Sequence, residues 1–421
     1  MNIRGKKLLL LGISHLVGGI VTKAKSLGVH TIVTDRRPVE QAPAKQVADE
    51  HRDIDFSHLD EMVRLIRKER IDGVLTGFTD SYMPHYLRIC QAADLPCYLD
   101  DRTLAIATEK SVFKEACQAS GVPVIPGISA STFAEAEAFC CREGFPVMLK
   151  PVDNSGSRGV IRCTAPADLP AAFDYALSFS PGRKIMVEKY MDCDSIAVSY
   201  FMADGKIRLS STDDRRIHKA PDSGASISSY SEYPSRYTDR YLAETDTVVV
   251  RMLRDNGFRN GMVSLQGFVD DKSFYFCEMC YRPSGGRHYR LVEDQHGIDQ
   301  LALLIEFAVT GSCAADWAAD RETPRFRDRF ATLRIIGKPG ETIAKMDGWE
   351  ALARFPRVRR AAPELSVGMT VGMDGTTAQV LGSVAYKFSP DENARDVANA
   401  ILAQLDIENE KGESIAWISI D

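Results

Sequence analysis

A short apolar segment carrying two opposite charges constrains this chain most. Residues 274 to 282 read Phe-Tyr-Phe-Cys-Glu-Met-Cys-Tyr-Arg. As a β-strand they place Glu278, Cys280 and Arg282 on one face, because side chains alternate with period two. A carboxylate and a guanidinium on an otherwise apolar strand are unfavourable unless a charged group lies between them. The segment therefore favours a metal-bound phosphate at this strand, and the alternative is a buried Glu–Arg pair that fixes a core strand.

The preceding segment, residues 261 to 269, is typical of the hairpin partner of this strand, with a turn at 270 to 272. It carries one polar side chain, Gln266, in an apolar run. Gln266 and Glu278 can share a metal only if they face the same side of the hairpin. This requires a pairing in which the numbers of two opposed residues sum to an even value, as for 266 opposite 278. A tight turn at 271 and 272 gives an odd sum, so we expect a longer or bulged turn at residues 270 to 274.

A second candidate site precedes this hairpin. The apolar segment 145 to 151 contains Lys150 and leads into a Gly/Ser-rich turn, residues 152 to 159. Such a turn can direct several backbone N–H groups at one anion, and glycine permits a close approach. The next strand, residues 184 to 191, carries Glu188, where an acid and backbone groups could bind an adenine amino group.

The order of these segments resembles the ATP-grasp superfamily over roughly residues 100 to 330. The resemblance implies that Lys110 is the first ATP lysine, that Lys150 contacts the α- and β-phosphates, and that Glu188, Lys189 and Tyr190 form the adenine hinge. Four further residues resemble the flap over the phosphates: Ser155, Gly156, Ser157 and Gly159. The ribose-binding acid of the family falls on Ser195, and Asp194 beside it is expected to take that role.

The same resemblance implies the metal and phosphoryl contacts. Glu278 matches the acid that bridges two Mg²⁺ ions, with Mn²⁺ as an alternative, and Arg282 matches the arginine that stabilises the transferring phosphoryl group. Gln266 stands where the family has its first metal acid, as in carbamoyl-phosphate synthetase large subunits. Cys280 replaces the family's asparagine. Because Mg²⁺ prefers oxygen ligands, we expect no ligand from this thiol and a weakly held second metal.

Two polar segments are candidates for substrate contacts. Residues 212 to 236 are rich in Ser, Gly and Pro and are expected to form a loop. Within it, Arg215 or Arg216 could reach the γ-phosphate, and a solvated charge cluster is the alternative. The turn at 283 to 288 lies where the family holds the acceptor carboxylate, which makes Arg287, with Ser284 and Gly285, the substrate-binding candidate.

The whole chain is expected to combine α/β and α+β architecture. Residues 1 to 100 alternate strands and helices, which predicts a Rossmann-like parallel sheet without the G-x-G-x-x-G spacing of a dinucleotide site. Together with the resemblance this gives three domains. They are a pre-ATP-grasp domain at 1–100, a two-lobed ATP-grasp domain at 101–328 with the flap-bearing lobe at about 121–190, and a C-terminal α+β domain at 329–421.

Composition excludes several classes of protein. The net charge of −6 provides no electrostatic footprint for nucleic acid, and no apolar run is long enough to span a membrane. The ten cysteines lack the spacing of a disulfide framework, which is typical of a reduced protein of the cytoplasm. The pair Cys277 and Cys280 points to opposite faces of a strand, and no second C-x-x-C completes a zinc site.

These observations lead to a functional expectation. The resemblance implies an ADP-forming, ATP-dependent ligase that converts a carboxylate into an acyl phosphate and joins it to an amine, both small molecules, and a homodimer. One alternative is phosphorylation of bicarbonate or carbamate, as in carbamoyl-phosphate synthetase or biotin carboxylase, which Gln266 suggests. The other is a nucleotide-binding protein without turnover, which Cys280 and Ser195 suggest.

Overall fold

The computed structural model describes residues 2–153, 159–220, 226–313, 317 and 319–420. Within these ranges the strands are β1 Lys7–Leu11, β2 His30–Thr34, β3 Glu50–Arg52, β4 Gly73–Leu75, β5 Gly127–Ala130, β6 Val147–Pro151, β7 Ile161–Cys163, β8 Ile185–Lys189, β9 Asp194–Ala203, β10 Lys206–Lys219, β11 Ser226–Tyr233, β12 Gly261–Val269, β13 Phe274–Tyr281, β14 Arg329–Gly337, β15 Ile343–Asp347, β16 Val358–Pro363, β17 Val380–Phe388, β18 Asp406–Asn409 and β19 Ala416–Trp417.

The helices of the same ranges fall between and beside these strands. They are α1 His15–Ser26, α2 Pro43–Val47, α3 Leu59–Glu69, α4 Met83–Ala93, α5 Asp101–Thr108, α6 Lys110–Ser120, α7 Phe133–Glu143, α8 Leu169–Ser178, α9 Thr238–Glu244, α10 Asp246–Asp255, α11 His288–His296, α12 Gln300–Thr310, α13 Trp349–Ala353 and α14 Ala394–Leu402.

The first sheet is parallel, with the strand order β3-β2-β1-β4. Strands β1, β2 and β4 are mostly buried, as expected for a sheet covered on both faces, whereas the edge strand β3 is polar. The alternation of strand and helix predicted for this region is confirmed, with small differences at the element ends.

A second, four-stranded sheet has the order β5-β8-β6-β7. Helix α7 begins at a capping box, in which Thr132 accepts a hydrogen bond from the Glu135 N–H and Glu135 accepts one from the Thr132 N–H. Strand β6 follows this helix and carries Lys150, and β8 beside it carries Glu188. The two residues therefore lie on neighbouring strands.

The largest sheet has nine strands in the order β13-β12-β9-β10-β11-β14-β17-β16, with β19 beside β14. Neighbouring strands are antiparallel throughout. Strands that come after residue 329 thus continue the sheet formed by the central part of the chain. The domain boundaries at 100 and 328 stay a prediction.

The expectation of a loop over residues 212 to 236 was wrong. Most of this segment forms the long strand β10 and its partner β11. The misreading has a physical reason: one face of both strands is polar and the turn-forming residues are common, so the sequence lacks apolar alternation. In the last hundred residues, strands β15, β16 and β18 were not predicted, and the last strand, β19, spans only Ala416–Trp417.

Buried apolar side chains form three main clusters. The largest joins the N-terminal sheet to the central helices and to β9, β12 and β13. A second fills the sheet that contains Lys150, and a third lies under the C-terminal strands and α14. Among the residues that the structure describes, no helix has both the length and the apolarity needed to cross a membrane.

Candidate active site

The hairpin of β12 and β13 places Gln266 directly opposite Glu278. The predicted common face is therefore confirmed, since directly opposed residues of an antiparallel pair point to the same side. The turn itself is tight, with the Asp270 N–H donating to the Ser273 carbonyl over 3.1 Å. The even register comes instead from a bulge, because Gly267 pairs with Phe276 and leaves Cys277 as an extra residue. The predicted irregularity at 270 to 274 was thus misplaced.

Glycine is needed beside this bulge. A Cβ atom on Gly267 would lie 3.0 Å from Phe276 Cα and closer still to the Tyr275 carbonyl oxygen. Neither backbone atom can move without disturbing the hairpin. The bulge itself is held by the Cys277 thiol, which donates to the Gln266 carbonyl over 3.3 Å. The position of Glu278 relative to Gln266 therefore depends on Cys277 and Gly267.

Strand β10 adds a cation to the same face. Arg215 donates a hydrogen bond from Nη1 to Gln266 Oε1. This contact supports the prediction that Arg215 belongs to the site, although the strand that carries Arg215 was expected to be a loop. Arg216 points to the opposite face and lies 4.0 Å from Asp194. Of the two candidates, the structure brings Arg215 to the hairpin.

Two lysines and one acid form a buried group where the second sheet meets helix α6. Glu188 forms ion pairs with Lys150 on β6 and with Lys114 on α6, the latter at 2.5 Å, and both the Lys114 and Glu188 side chains are less than a tenth exposed. Lys114 Nζ also donates to the Ile125 carbonyl over 2.8 Å. Burial favours the neutral carboxyl, but the charges of Lys150 and Lys114 outweigh it and lower the pKa of Glu188.

Sequence analysis missed Lys114 and placed Lys110 at the nucleotide instead. Lys110 is the first residue of α6, one turn before Lys114. The signal for Lys114 lies in Gly127, which pairs with Glu188 across β5 and β8. A Cβ atom on Gly127 would lie 2.7 Å from Glu188 Cγ and 2.8 Å from Lys114 Nζ. Glycine at 127 therefore makes room for the ion pair.

Lys150 connects the two sheets electrostatically. Its burial favours loss of the proton, but the negative charge of Glu188 and, more weakly, of Glu278 raises the pKa of Lys150. The acid of the hairpin is thus close enough to act on the lysine of the other sheet. An ammonium and a carboxylate that act on each other from neighbouring sheets suit a metal-bound phosphate.

The hinge residues differ in their availability. Glu188 already forms ion pairs with two lysines, so its carboxylate is not free to bind an adenine amino group as predicted. Lys189 is exposed, and its N–H donates to the Pro126 carbonyl over 3.0 Å. The Tyr190 ring lies 4.0 Å from the Arg162 guanidinium carbon, and its hydroxyl accepts from Lys219 Nζ over 2.8 Å.

The expected ribose acid is also engaged. Asp194 accepts hydrogen bonds from Arg236 and from the Tyr237 hydroxyl. Burial opposes ionisation, but these two donors lower the pKa of Asp194. Ser195, next to it, donates to the Gly267 carbonyl over 3.4 Å. A ribose hydroxyl would have to compete with Arg236 for this carboxylate.

Arg282 was expected at the transferring phosphoryl group, and the structure gives it a second partner. Its Nε and Nη2 atoms donate to both carboxylate oxygens of Asp80, over 2.7 and 2.6 Å. Asp80 comes from the segment after β4, so the pair joins the N-terminal part of the chain to the end of β13. The adjoining turn is held in the same way, because the Phe78 N–H donates to the Pro283 carbonyl over 3.1 Å.

The predicted acceptor residues follow Arg282 directly. The Ser284 hydroxyl lies 3.1 Å from His288 Nδ1, and a Cβ atom on Gly285 would meet open space. Arg287 adopts a left-handed backbone with φ 55°, at the start of α11. Of the flap residues, Ser155, Gly156 and Ser157 lie outside the described residues. Gly159 is described and has φ 75°, packed against Phe179.

The donor atoms fit one Mg²⁺ ion better than two. Glu278 supplies a carboxylate of the kind that Mg²⁺ prefers, and Gln266 supplies an amide oxygen that Arg215 occupies. Burial raises the pKa of Cys280, so its thiol stays neutral and offers no oxygen. Within the described part of the chain, no group of three or more His, Cys, Asp or Glu side chains could hold a metal on its own. Phosphate oxygens would have to complete the coordination.

Comparison with known protein families gives one match. Residues 118–244 match the model described as the D-ala D-ala ligase C-terminus. Among curated proteins, the formate-dependent phosphoribosylglycinamide formyltransferase of Rhodococcus jostii is 28% identical over 389 residues, covering 84% of this chain and 92% of that protein. The region that matches the family model, residues 118–244, contains the second sheet and strands β9, β10 and β11.

Solved structures share the fold over nearly the whole chain. An L-amino acid ligase from Bacillus licheniformis superimposes with a TM-score of 0.80 at 17% identity, covering 97% of this chain and 99% of that one. The biotin carboxylase domain of the 2-oxoglutarate carboxylase from Hydrogenobacter thermophilus, solved with MgADP, ADP and bicarbonate, has a TM-score of 0.78 at 18% identity. The superposition covers 96% of this chain and 91% of the biotin carboxylase domain. The predicted fold class is therefore confirmed.

Proposed function

We propose that this chain, a member of the ATP-grasp superfamily of ATP-dependent ligases, activates a carboxylate as an acyl phosphate and joins it to an amine. One observation carries the proposal: Gln266 and Glu278 are opposed on one face of their hairpin, and the charge of Glu278 acts on Lys150 of the other sheet. A carboxylate for the metal and an ammonium for the phosphate oxygens suit a nucleoside triphosphate with its metal.

The first step forms one bond and breaks another. A carboxylate oxygen of the substrate attacks the γ-phosphorus of ATP, and the bond to the β–γ bridging oxygen breaks to release ADP. Negative charge spreads over the transferred group during this step, and Lys150 and Arg215 are the cations placed to stabilise it. Arg282, fixed by Asp80, supplies a third positive charge at the end of β13.

In the second step the amine attacks the acyl carbon, phosphate leaves, and the amine loses a proton. A magnesium ion held by Glu278 would neutralise charge between the β- and γ-phosphates when bound. Water has to be excluded from the acyl phosphate, and the flap residues 155 to 159 are proposed to cover it. The role of Lys110, Lys189, Tyr190 and Asp194 at the nucleotide stays a prediction, as do the three-domain division and the homodimer.

The relatives suggest which substrates to test first. By its name, the Rhodococcus relative uses formate and phosphoribosylglycinamide, and the Bacillus relative joins amino acids. The Hydrogenobacter structure contains bicarbonate, which keeps bicarbonate phosphorylation as the second candidate, and Gln266 is the residue that favours it. A nucleotide-binding protein without turnover is the third.

Phosphate and ADP release from the purified chain with ATP and Mg²⁺ separates the three. We expect turnover to require a carboxylate and to leave a ligated product only when an amine is also present. Formate with phosphoribosylglycinamide, pairs of amino acids, and bicarbonate alone form the first panel. Turnover with bicarbonate and no amine would replace the proposal by the second candidate. ATP binding without turnover in any arm would favour the third.

A further inference from the structure

The polar face that contains Gln266 and Arg215 continues into the C-terminal strands. Arg215 on β10 pairs with Ser231, Ser231 pairs with Thr332, and Arg334 lies two residues further along β14. Paired residues share a face, and so do residues two apart on one strand. Arg334 is therefore on the same side of the sheet as Arg215, two strands away.

A third arginine joins this row on β16. Arg334 pairs with Ser383 on β17, and Arg360 donates from Nη2 to the Ser383 hydroxyl over 2.9 Å. Arg287, from the turn before α11, approaches the same place, because its positive charge acts on Arg360. We call Arg287, Arg334 and Arg360 with Ser383 the arginine pocket.

The pocket contains buried donors that the protein leaves unused. Among the described residues, no hydrogen-bond partner reaches Arg287 Nε or Arg360 Nη1, although both atoms are shielded from solvent. A buried donor without an acceptor is unfavourable, and more so when it is charged. Native structures satisfy most buried donors with protein atoms, ordered water, an ion or a ligand.

Charge in the pocket is also unbalanced. Burial, with the nearby charge of Arg287, lowers the pKa of Arg360 to about 9, and burial lowers the pKa of Arg287 and of Arg334. Glu364 is the carboxylate that opposes these shifts. It is exposed and accepts from Ser383 over 2.8 Å. One exposed acid opposes three arginines, so a bound anion would balance the excess positive charge.

We propose that the arginine pocket binds a doubly charged oxyanion group of the substrate, either a phosphate monoester or a dicarboxylate. The inference rests on the proposed function and adds to it the charge of the substrate and the C-terminal residues Arg334 and Arg360. Planar guanidinium groups suit such groups because each can donate two parallel hydrogen bonds to one oxyanion. The reacting carboxylate or amine would then lie toward Arg215 and Gln266.

Calorimetric titration of the full chain, saturated with ADP so that the nucleotide site is filled, tests this directly. The probes are glycerol phosphate, succinate and, as the singly charged control, acetate, all at one ionic strength. We expect at least one of the two dianions to bind tenfold more tightly than acetate or better. The tighter of the two identifies the source of the charge. Equal binding of acetate and both dianions would overturn the proposal.

Substitutions locate the binding. Arg360→Gln is expected to weaken the preferred dianion at least tenfold, whereas Arg354→Gln, at an exposed arginine that pairs with Glu350, should change it less than twofold. Unchanged affinity in Arg360→Gln would refute the assignment. If that variant does not fold, Arg360→Lys replaces it, with at least a fivefold loss expected and unchanged affinity as the contrary result. ADP binding and carboxylate-dependent turnover are measured separately, so a failure of the proposed function leaves this test intact.

Discussion

Arg282 and Asp80 form a bidentate ion pair between the end of β13 and the N-terminal part of the chain. The arginine expected at the transferring phosphoryl group is thereby oriented by a residue 202 positions earlier in the sequence. Two parallel hydrogen bonds fix both the position and the plane of the guanidinium. The segment after β4 can thus influence the position of Arg282.

We predict that Asp80→Asn lowers kcat about tenfold and leaves the affinity for ATP unchanged. The amide keeps the shape of Asp80 but can accept only one of the two hydrogen bonds, so Arg282 loses its fixed plane. Asp101→Asn is the control, since Asp101 pairs with the exposed Arg88 over 2.9 Å. A fall in ATP affinity with kcat intact would place Arg282 at the bound nucleotide rather than at the transition state.

Glu278→Gln is expected to reduce turnover at least a hundredfold, about 2.7 kcal/mol of barrier. The substitution retains the shape of the side chain and removes the charge that would hold Mg²⁺, so the loss should appear in kcat more than in nucleotide binding. Steady-state kinetics with titrated Mg²⁺ measure it, and Glu244→Gln on the exposed face of α9 is the control.

Cys280→Asn should leave turnover intact or raise it, with a stronger response to Mg²⁺, because an amide oxygen suits this cation and a neutral thiol does not. The same kinetic assay reports the result. If Cys280→Asn abolishes turnover while Glu278→Gln is tolerated, the metal assignment fails and the thiol has another role.

Lys114→Met is predicted to lower the free energy of unfolding by about 3 kcal/mol, the lower end of the range for breaking a buried ion pair, because Lys150 still accompanies Glu188. Urea unfolding measures the change. The control Lys25→Met removes a lysine from an exposed pair with Asp49 and should change stability by less than about 1 kcal/mol. Equal effects would mean that the buried pair contributes no more than a surface one.

Asp213 lies on the polar face of β10, where burial raises its pKa to about 7 against the opposing charge of Arg215. In the unfolded chain an aspartate titrates near about 3.9, so between these values only the folded state holds the proton. Stability contributed by this group is therefore lost as the pH rises from about 4 to 7.

We accordingly predict that the stability of Asp213→Asn relative to the native chain increases between pH 5 and pH 8. The expected increase is on the order of 2 kcal/mol, at 1.36 kcal/mol per pH unit. Urea unfolding across this range, with the exposed Asp174→Asn as control, provides the comparison. Parallel pH profiles of the native chain and Asp213→Asn would show that Asp213 titrates normally.

Sequence reasoning succeeded where one physical rule acts alone. The buried strands and amphipathic helices of the first 75 residues, and the capping box at Thr132, follow from local periodicity and turn chemistry. The common face of Gln266 and Glu278 was expected from a shared metal, although the bulge that produces it lies at Cys277 and not at the turn. Each of these features depends on residues that are near one another in the chain.

It failed where the environment comes from distant segments. Strand β10 is polar on the face that lines the site, so its sequence resembles a loop even though both neighbours in the sheet hold it. Lys114 reaches Glu188 only because Gly127 permits β5 to pass close by. Arg334 and Arg360 carry no motif, and their proximity follows from strand pairing that the sequence does not reveal.

The extra residue at Cys277 has a consequence for aligning and engineering this hairpin. The tight turn sets an odd register, which would pair Gln266 with Cys277 and Leu265 with Glu278 if the ladder continued without a bulge. The bulge leaves Cys277 out of the pairing, so that Glu278 lies opposite Gln266. Deleting Cys277 would remove the bulge and still leave Glu278 opposite Gln266, whereas keeping Cys277 in a straightened strand would move Glu278 to the other face. An alignment gap at Cys277 therefore leaves the face of Glu278 unchanged.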